Sequence, residues 1–193
     1  VKATEKATIA EGVYIGNVNV GGMTQAQAQS AVEEYVAGLM DTTFTLKGES
    51  GSVSMTAQDM GVTADVNAAV TEAVAVGRAG SLINRYKTTQ DLKKNSLVLD
   101  MHLSVDKQTT AQKLYKDSDK LSVAAVDNGL VRENGAFQFV KGKEGVEVNI
   151  VDSVYAINDF LADEWNGTNN EIELVTDVVE PRGNEEELAQ VQD

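Results

Sequence analysis

The chain of 193 residues has no cysteine, one proline and one histidine. Without cysteine there is no disulfide framework, no thiolate metal site and no cysteine nucleophile. With His102 as the sole imidazole, a multi-histidine metal centre is excluded and a Ser-His-Asp device has little to draw on. Aromatics are sparse, at 5% with a single tryptophan, which disfavours a glycan site built mainly from stacked rings. Basic residues are few: 16 Lys and Arg stand against 30 Asp and Glu, giving a net charge of −14. Such a chain is repelled by nucleic acid and by anionic lipid, and it has little attraction for anionic wall polymers. No apolar run approaches the roughly 18 residues a membrane span needs. The opening Val1–Thr8 is polar and lacks an initiator Met, so it reads as the juncture after a leader or anchor. A membrane is expected as a partner only through such an N-terminal anchor.

What is present is an internal echo. Val18-Asn19-Val20-Gly21-Gly22-Met23-Thr24 and Leu103-Ser104-Val105-Asp106-Lys107-Gln108-Thr109 each read as a strand end, a turn, a Thr cap and a helix start. Met60-Gly61-Val62-Thr63-Ala64-Asp65-Val66 and Glu144-Gly145-Val146-Glu147-Val148-Asn149-Ile150 form a second matching pair. One supersecondary unit used twice, at a period of roughly 84 residues, explains both. The resulting division is a disordered or linker segment at 1–8, a first unit at 9–96, a second at 97–180 and an acidic tail or linker at 181–193. A chain of this size buries roughly 70% of its unfolded surface, so it folds without metal or disulfide.

Hydrophobic periodicity predicts a strand over 12–20, a helix over 25–40, and strands over 43–47 and 52–56 joined by Gly48–Gly51. Helices follow over 65–76 and 81–94. Alternation over 97–105 predicts one half-exposed antiparallel strand, with Leu97, Leu99, Met101, Leu103 and Val105 inward. Next come a helix over 110–119 and strands near 123–126, 130–133 and 136–140, with a tight turn at Asn134-Gly135. Asn149 caps a helix over 150–165 whose inward stripe includes Val151, Val154, Tyr155 and Ile157, and a strand spans 171–179. Strands and helices mix without a βαβ rhythm, so the expected class is α+β: two similar units of antiparallel strands packed on helices.

The run Gly12–Thr24, followed by Ala26 and Ala28, resembles the opening of VanW-type wall proteins. Asp59-Met60-Gly61-Val62, Asp65, Ala73, Gly77-Arg78 and Gly80 fit the same pattern. From about Leu103 to Leu161 the chain is similar to the peptidoglycan-binding domain found ahead of YkuD-type L,D-transpeptidase domains and in VanW-family proteins. The core of that likeness is Gly135-Ala136-Phe137-Gln138-Phe139, Gly145-Val146 and Asn149. The family's usual Pro is missing near Ser122–Ala125. The resemblance implies a bacterial envelope protein whose repeated, non-catalytic domains precede a functional C-terminal domain. It supplies no ligand residues to carry over.

Candidate chemistry is thin. Glu33 and Glu34 diverge around a helix. Asp59 with Asp65, and Glu144 with Glu147, flank the echoed Gly-Val turn, but a glycosidase needs two carboxyls facing across a sugar, and Asp65 and Asn149 read better as N-caps. His102 is expected on the outer side of its strand. Gly21-Gly22 and Gly142-Lys143-Glu144-Gly145 match no phosphate-binding fingerprint and read as turns. Arg85, Lys87, Lys93 and Lys94 read as a solvated helix face. Tyr35 and Tyr155 fall on core stripes, while Tyr14, Tyr86, Tyr115 and Trp165 remain as candidate exposed rings. No catalytic, metal or cofactor residue is assigned, no cofactor is expected, and ligand-binding residues are undetermined. The expected function is a non-catalytic, extracytoplasmic module that binds peptidoglycan or another wall component. The alternative is a spacer or docking module for a C-terminal L,D-transpeptidase or VanW domain.

Overall fold

The computed structural model describes residues 7–190; Val1–Lys6, most of the expected leader juncture, lie outside the described residues. The first elements are β1 (Val13–Ile15), β2 (Val18–Asn19), α1 (Gln25–Leu39), β3 (Thr43–Lys47), β4 (Ser52–Thr56), β5 (Thr63–Ala64), α2 (Val66–Ala75) and α3 (Leu82–Lys94). There follow β6 (Leu97–Leu99), β7 (Leu103–Ser104), α4 (Lys107–Lys116), α5 (Ser118–Leu121), β8 (Gly129–Glu133), β9 (Ala136–Val140) and β10 (Gly145–Val148). Last come α6 (Ile150–Asp159), a π-helical turn (Phe160–Glu164), β11 (Glu171–Glu173), β12 (Thr176–Val179) and α7 (Glu185–Ala189). The class is α+β, as the sequence indicates.

Capping side chains set the helix starts. Thr24 and Gln27 form a reciprocal capping box at α1, the arrangement that satisfies two orphan amides at once. Asp65, Ser81 and Asn149 each accept the third helical amide of α2, α3 and α6. The cap of α4 is Asp106, not the Thr the sequence echo suggests: its Oδ1 accepts the Thr109 N–H at 2.7 Å. Thr110 is instead fully buried and its Oγ1 donates to the Met60 carbonyl at 3.0 Å. The bond from Thr109 holds the Asp106 carboxyl below the usual carboxylate range.

Strand pairing interlocks the chain. β6 joins β1 in parallel, with Val13 opposite Leu97, and β11 joins β3 in parallel, with Ile172 opposite Leu46. β5 and β7 pair antiparallel, with Ala64 opposite Leu103, as do β10 and β12, with Val146 opposite Val178. Buried Ile9, Val32, Phe44, Met60, Leu114, Ile157 and Ile172 belong to one hydrophobic cluster. Gly61 sits at the seam with φ +63°, and a Cβ there would lie 2.7 Å from Cβ of Asp106. The Met60 carbonyl beside it also accepts the Asp106 N–H at 2.9 Å.

Four expectations are corrected. The 12–20 strand is a hairpin, β1 and β2, reversed at Gly16-Asn17. The 97–105 strand breaks at Asp100–His102, because Asp100 Oδ1 accepts the His102 N–H at 2.8 Å and His102 takes a left-handed φ of 55°. Its two pieces therefore serve different sheets, and the first runs parallel rather than antiparallel. Leu97 is 38% exposed while Met101, Leu103 and Val105 are buried. The 171–179 strand also changes partner midway: Leu174 N–H donates to the Lys47 carbonyl at 2.9 Å, and the Val175 carbonyl then accepts the Asn149 N–H at 2.8 Å. On α6 the inward stripe is narrower than expected, for Val151 and Tyr155 are 65% and 52% exposed; Lys107 Nζ lies 4.8 Å above the Tyr155 ring. Beyond Pro181 the tail forms α7, started by a capping box of Asn184 and Glu187.

Candidate functional site

A cleft of about 420 Å³ opens where the β1–β2 turn, α1, β6 and the π-helical turn meet. Its apolar side is Val98, Leu99, Met101, Leu103 and Leu161. Tyr35 projects from the half-buried flank of α1, and Trp165 closes the π-helical turn. The turn exists because the Trp165 N–H reaches back to the Phe160 carbonyl at 2.8 Å; such insertions are frequent at functional sites. The indole packs edge-on against Phe44, with ring centroids 5.4 Å apart at 61°, and its Nε1–H donates to Asn170 Oδ1 at 3.0 Å. Both contacts fix the ring.

An amide clasp forms the rim. Asn17 Nδ2 donates to Tyr35 Oη at 3.1 Å and to the Asn166 carbonyl at 3.0 Å. The Asn17 Oδ1 and the Tyr35 hydroxyl proton have no protein partner among the described residues. Gly167 makes the clasp possible. Its φ is +87°, and a Cβ there would lie 2.5 Å from Asn17 Nδ2, far inside the ordinary contact distance of about 3.5 Å.

Asp100, Asp163 and Glu164 complete the lining, and all three are exposed. No Lys, Arg or His lines the cleft. Among the described residues no three His, Asp or Glu side chains converge as a metal set. The carboxylates thus surround the space rather than focus on a point.

The residues singled out by sequence lie mostly elsewhere. Asp59 is paired with Lys113, whose Nζ donates to Oδ1 at 2.5 Å. That contact, with the Thr56 N–H, lowers the Asp59 pKa to about 2. Asp65 and Asn149 are caps. Glu33 accepts from Gln29 at 3.0 Å on the outside of α1. Glu144 lines a second hollow with Lys141, Lys143 and Glu180, while Glu147 is exposed on β10. His102 does not sit on the face of a continuous strand; its Nε2 lies 3.0 Å from Glu72 Oε1 on α2. Gly21-Gly22 is a turn, whereas 142–145 runs as an extended segment paired to 123–126 through Lys143–Val126 and Val146–Val123. Arg85, Lys87, Lys93 and Lys94 are exposed on α3. Tyr86 and Tyr115 are exposed rings outside the cleft. Trp165 lines the cleft as a half-buried ring, and Tyr35, read as core, lines it too. Sequence reasoning missed Asn17, Asp100, Asp163, Glu164 and Asn166; the turn dipeptides Gly16-Asn17 and Asn166-Gly167 are the only local signal they leave.

The family model described as "Putative peptidoglycan binding domain" matches residues 53–169. The chain belongs to this family. No curated protein and no solved structure matches the chain. The matched stretch begins far ahead of Leu103, in β4, and ends just past the cleft. Apart from Gly16, Asn17 and Tyr35, every residue lining the cleft falls within it. Membership assigns the chain as a peptidoglycan-binding module with a cell-wall association. No helix among the described residues is long and apolar enough to cross a membrane.

Proposed function

We propose that this peptidoglycan-binding module acts outside the cytoplasm as a non-catalytic wall ligand, and that the cleft at Tyr35 and Trp165 is where the wall component sits. The carrying observation is the overlap of the family match with the cleft. The exposed carboxylates support the non-catalytic reading. A general acid needs a drier setting that keeps its proton, and Asp100, Asp163 and Glu164 all face solvent. The duplication reading draws support from parallel element orders. In each unit a strand and cap lead into a helix (β2 to α1, β7 to α4), a hairpin follows (β3–β4, β8–β9), and a second strand and cap lead into another helix (β5 to α2, β10 to α6). The units at 9–96 and 97–180, like the VanW-type likeness of the first, remain part of this proposal.

Co-sedimentation with sacculi stripped of anionic polymers tests the reading. The chain should pellet with the wall, and Tyr35→Ala should release a large part of it; full recovery of the unmodified chain in the supernatant at low salt would refute binding. A spacer or docking role ahead of an L,D-transpeptidase or VanW domain is the second reading. It is favoured by the β8–β9 hairpin, which carries Val131, Phe137 and Val140 exposed at 47%, 48% and 48%.

A further inference from the structure

Helix α3 scarcely joins the core. It buries a single side chain, Leu92, whereas α1, α2, α4 and α6 each bury two or three. Ile83 precedes Leu92 by about two and a half turns, so the two stand on opposite faces. Leu82 and Tyr86 are four positions apart, and Ile83 and Tyr86 three, spacings that make neighbours on a helix surface. All three are bare, at 82%, 69% and 66% exposure. Four cations border this patch. Arg85 lies three positions beyond Leu82, and Lys87 four beyond Ile83; Lys93 and Lys94 fall two turns beyond Tyr86 and Lys87. Each is exposed, and none pairs with a carboxylate among the described residues. Arg85 Nε donates to the Gly80 carbonyl at 3.1 Å, which holds its guanidinium beside the first turn. The helix carries one acid, Asp91.

A cationic face on a chain of net charge −14 selects an anionic partner by charge complementarity. The three bare apolar side chains within it favour a partner that also has an apolar interior, which a water-soluble polyanion lacks. We propose that α3 docks on an anionic lipid surface. Leu82, Ile83 and Tyr86 enter the headgroup layer, while Arg85, Lys87, Lys93 and Lys94 reach lipid phosphates on their long aliphatic stems. Tyr86 suits that boundary, with an apolar ring and a polar tip. Repulsion from anionic lipid is expected of the chain as a whole and not of this face: charges are screened beyond about 8 Å at physiological salt, so acids on other elements weigh little on a contact made through α3. No residue of α3 lines the Tyr35–Trp165 cleft, so the inference stands apart from the peptidoglycan reading.

Co-sedimentation of the full chain with vesicles tests this. One set is phosphatidylcholine alone, and the other holds phosphatidylcholine and phosphatidylglycerol in equal amounts. A soluble glycerol-phosphate polymer, read by calorimetric titration, is the third probe. The chain should pellet with the phosphatidylglycerol vesicles, stay in solution with the neutral ones, and be released as salt is raised. Lys87→Gln/Lys94→Gln should weaken that binding by roughly ten- to thirtyfold, from the contribution of each basic residue near an anionic surface. Ile83→Ser, which keeps both charge and helix propensity, should weaken it by roughly tenfold. All three positions are exposed, so both variants should keep the urea midpoint of the parent. A chain that ignores phosphatidylglycerol vesicles, or binds neutral ones equally, overturns the inference. So does binding that Ile83→Ser leaves unchanged, or binding to the soluble polymer as tight as to the vesicles, for either outcome makes α3 a plain polyanion contact. None of these results bears on whether sacculi pellet the chain, so wall binding is judged separately.

Discussion

Replacing Gly167 with alanine probes the clasp that shapes the cleft, and its effect can be worked from the structure. At φ +87° an L-residue costs about 1–2 kcal/mol relative to glycine. The new Cβ would stand 2.5 Å from Asn17 Nδ2, so the Asn17 amide must swing away. Its bonds to Tyr35 Oη and the Asn166 carbonyl are solvent-accessible, and each is worth at most about 1 kcal/mol net. The expected loss is roughly 1–4 kcal/mol, which for a domain of this size lowers the melting temperature by about 2–4 °C per kcal/mol. Gly38 supplies the control of opposite sign. It lies within α1 with open space around its Cβ position, so Gly38→Ala should stabilise by about 0.5–1 kcal/mol. Urea unfolding of both variants reads the pair. If Gly167→Ala unfolds within about 0.5 kcal/mol of the parent, the close approach and the clasp argument built on it are wrong.

Three further outcomes are expected. Gly61→Ala, at φ +63° and facing Asp106, should destabilise by about 2 kcal/mol from strain and crowding at the seam; an unchanged urea midpoint would contradict the packing described. Thr110→Val keeps the buried shape but removes one of the two donors to the Met60 carbonyl. It should cost on the order of 1 kcal/mol, and a gain in stability would show that the hydroxyl is dispensable. Asp59 has a folded-state pKa lowered from 3.8 to about 2. Its contribution is present above pH 3.8 and is lost as pH falls through about 2. Solvent reaches both partners, at 40% and 43% exposure, which holds that contribution to on the order of 1 kcal/mol. Asp59→Asn should flatten the acid limb of stability across that window, and an identical limb would refute the pairing.

Local chemistry was well legible in the sequence. The β3–β4 hairpin follows from alternation around Gly48–Gly51, and Thr24, Asp65 and Asn149 cap helices because short polar side chains compete for free amides. Non-local pairing was not legible. Apolar residues fill every odd position from Leu97 to Val105, yet Asp100 captures the His102 amide and splits the run between a parallel and an antiparallel partner. Nothing within nine residues encodes which distant strand lies alongside. The same reason hides the cleft. Asn17, Tyr35, Asp100 and Trp165 come from four separate elements, and each alone reads as a turn, a core ring, a surface acid or a helix end. Tyr155 errs in the opposite direction: its spacing suits the core, but Lys107 covers it from outside.

Because Trp165 is the only tryptophan, its indole N–H gives one unambiguous signal from inside the cleft in a proton–nitrogen NMR spectrum. Soluble muropeptides released by a muramidase should shift that signal progressively to saturation while the Val131–Phe137 hairpin signals stay in place. An indole signal that holds still as the peptide reaches millimolar concentration, or shifts confined to the hairpin, would contradict the assignment of this cleft as the wall-binding site.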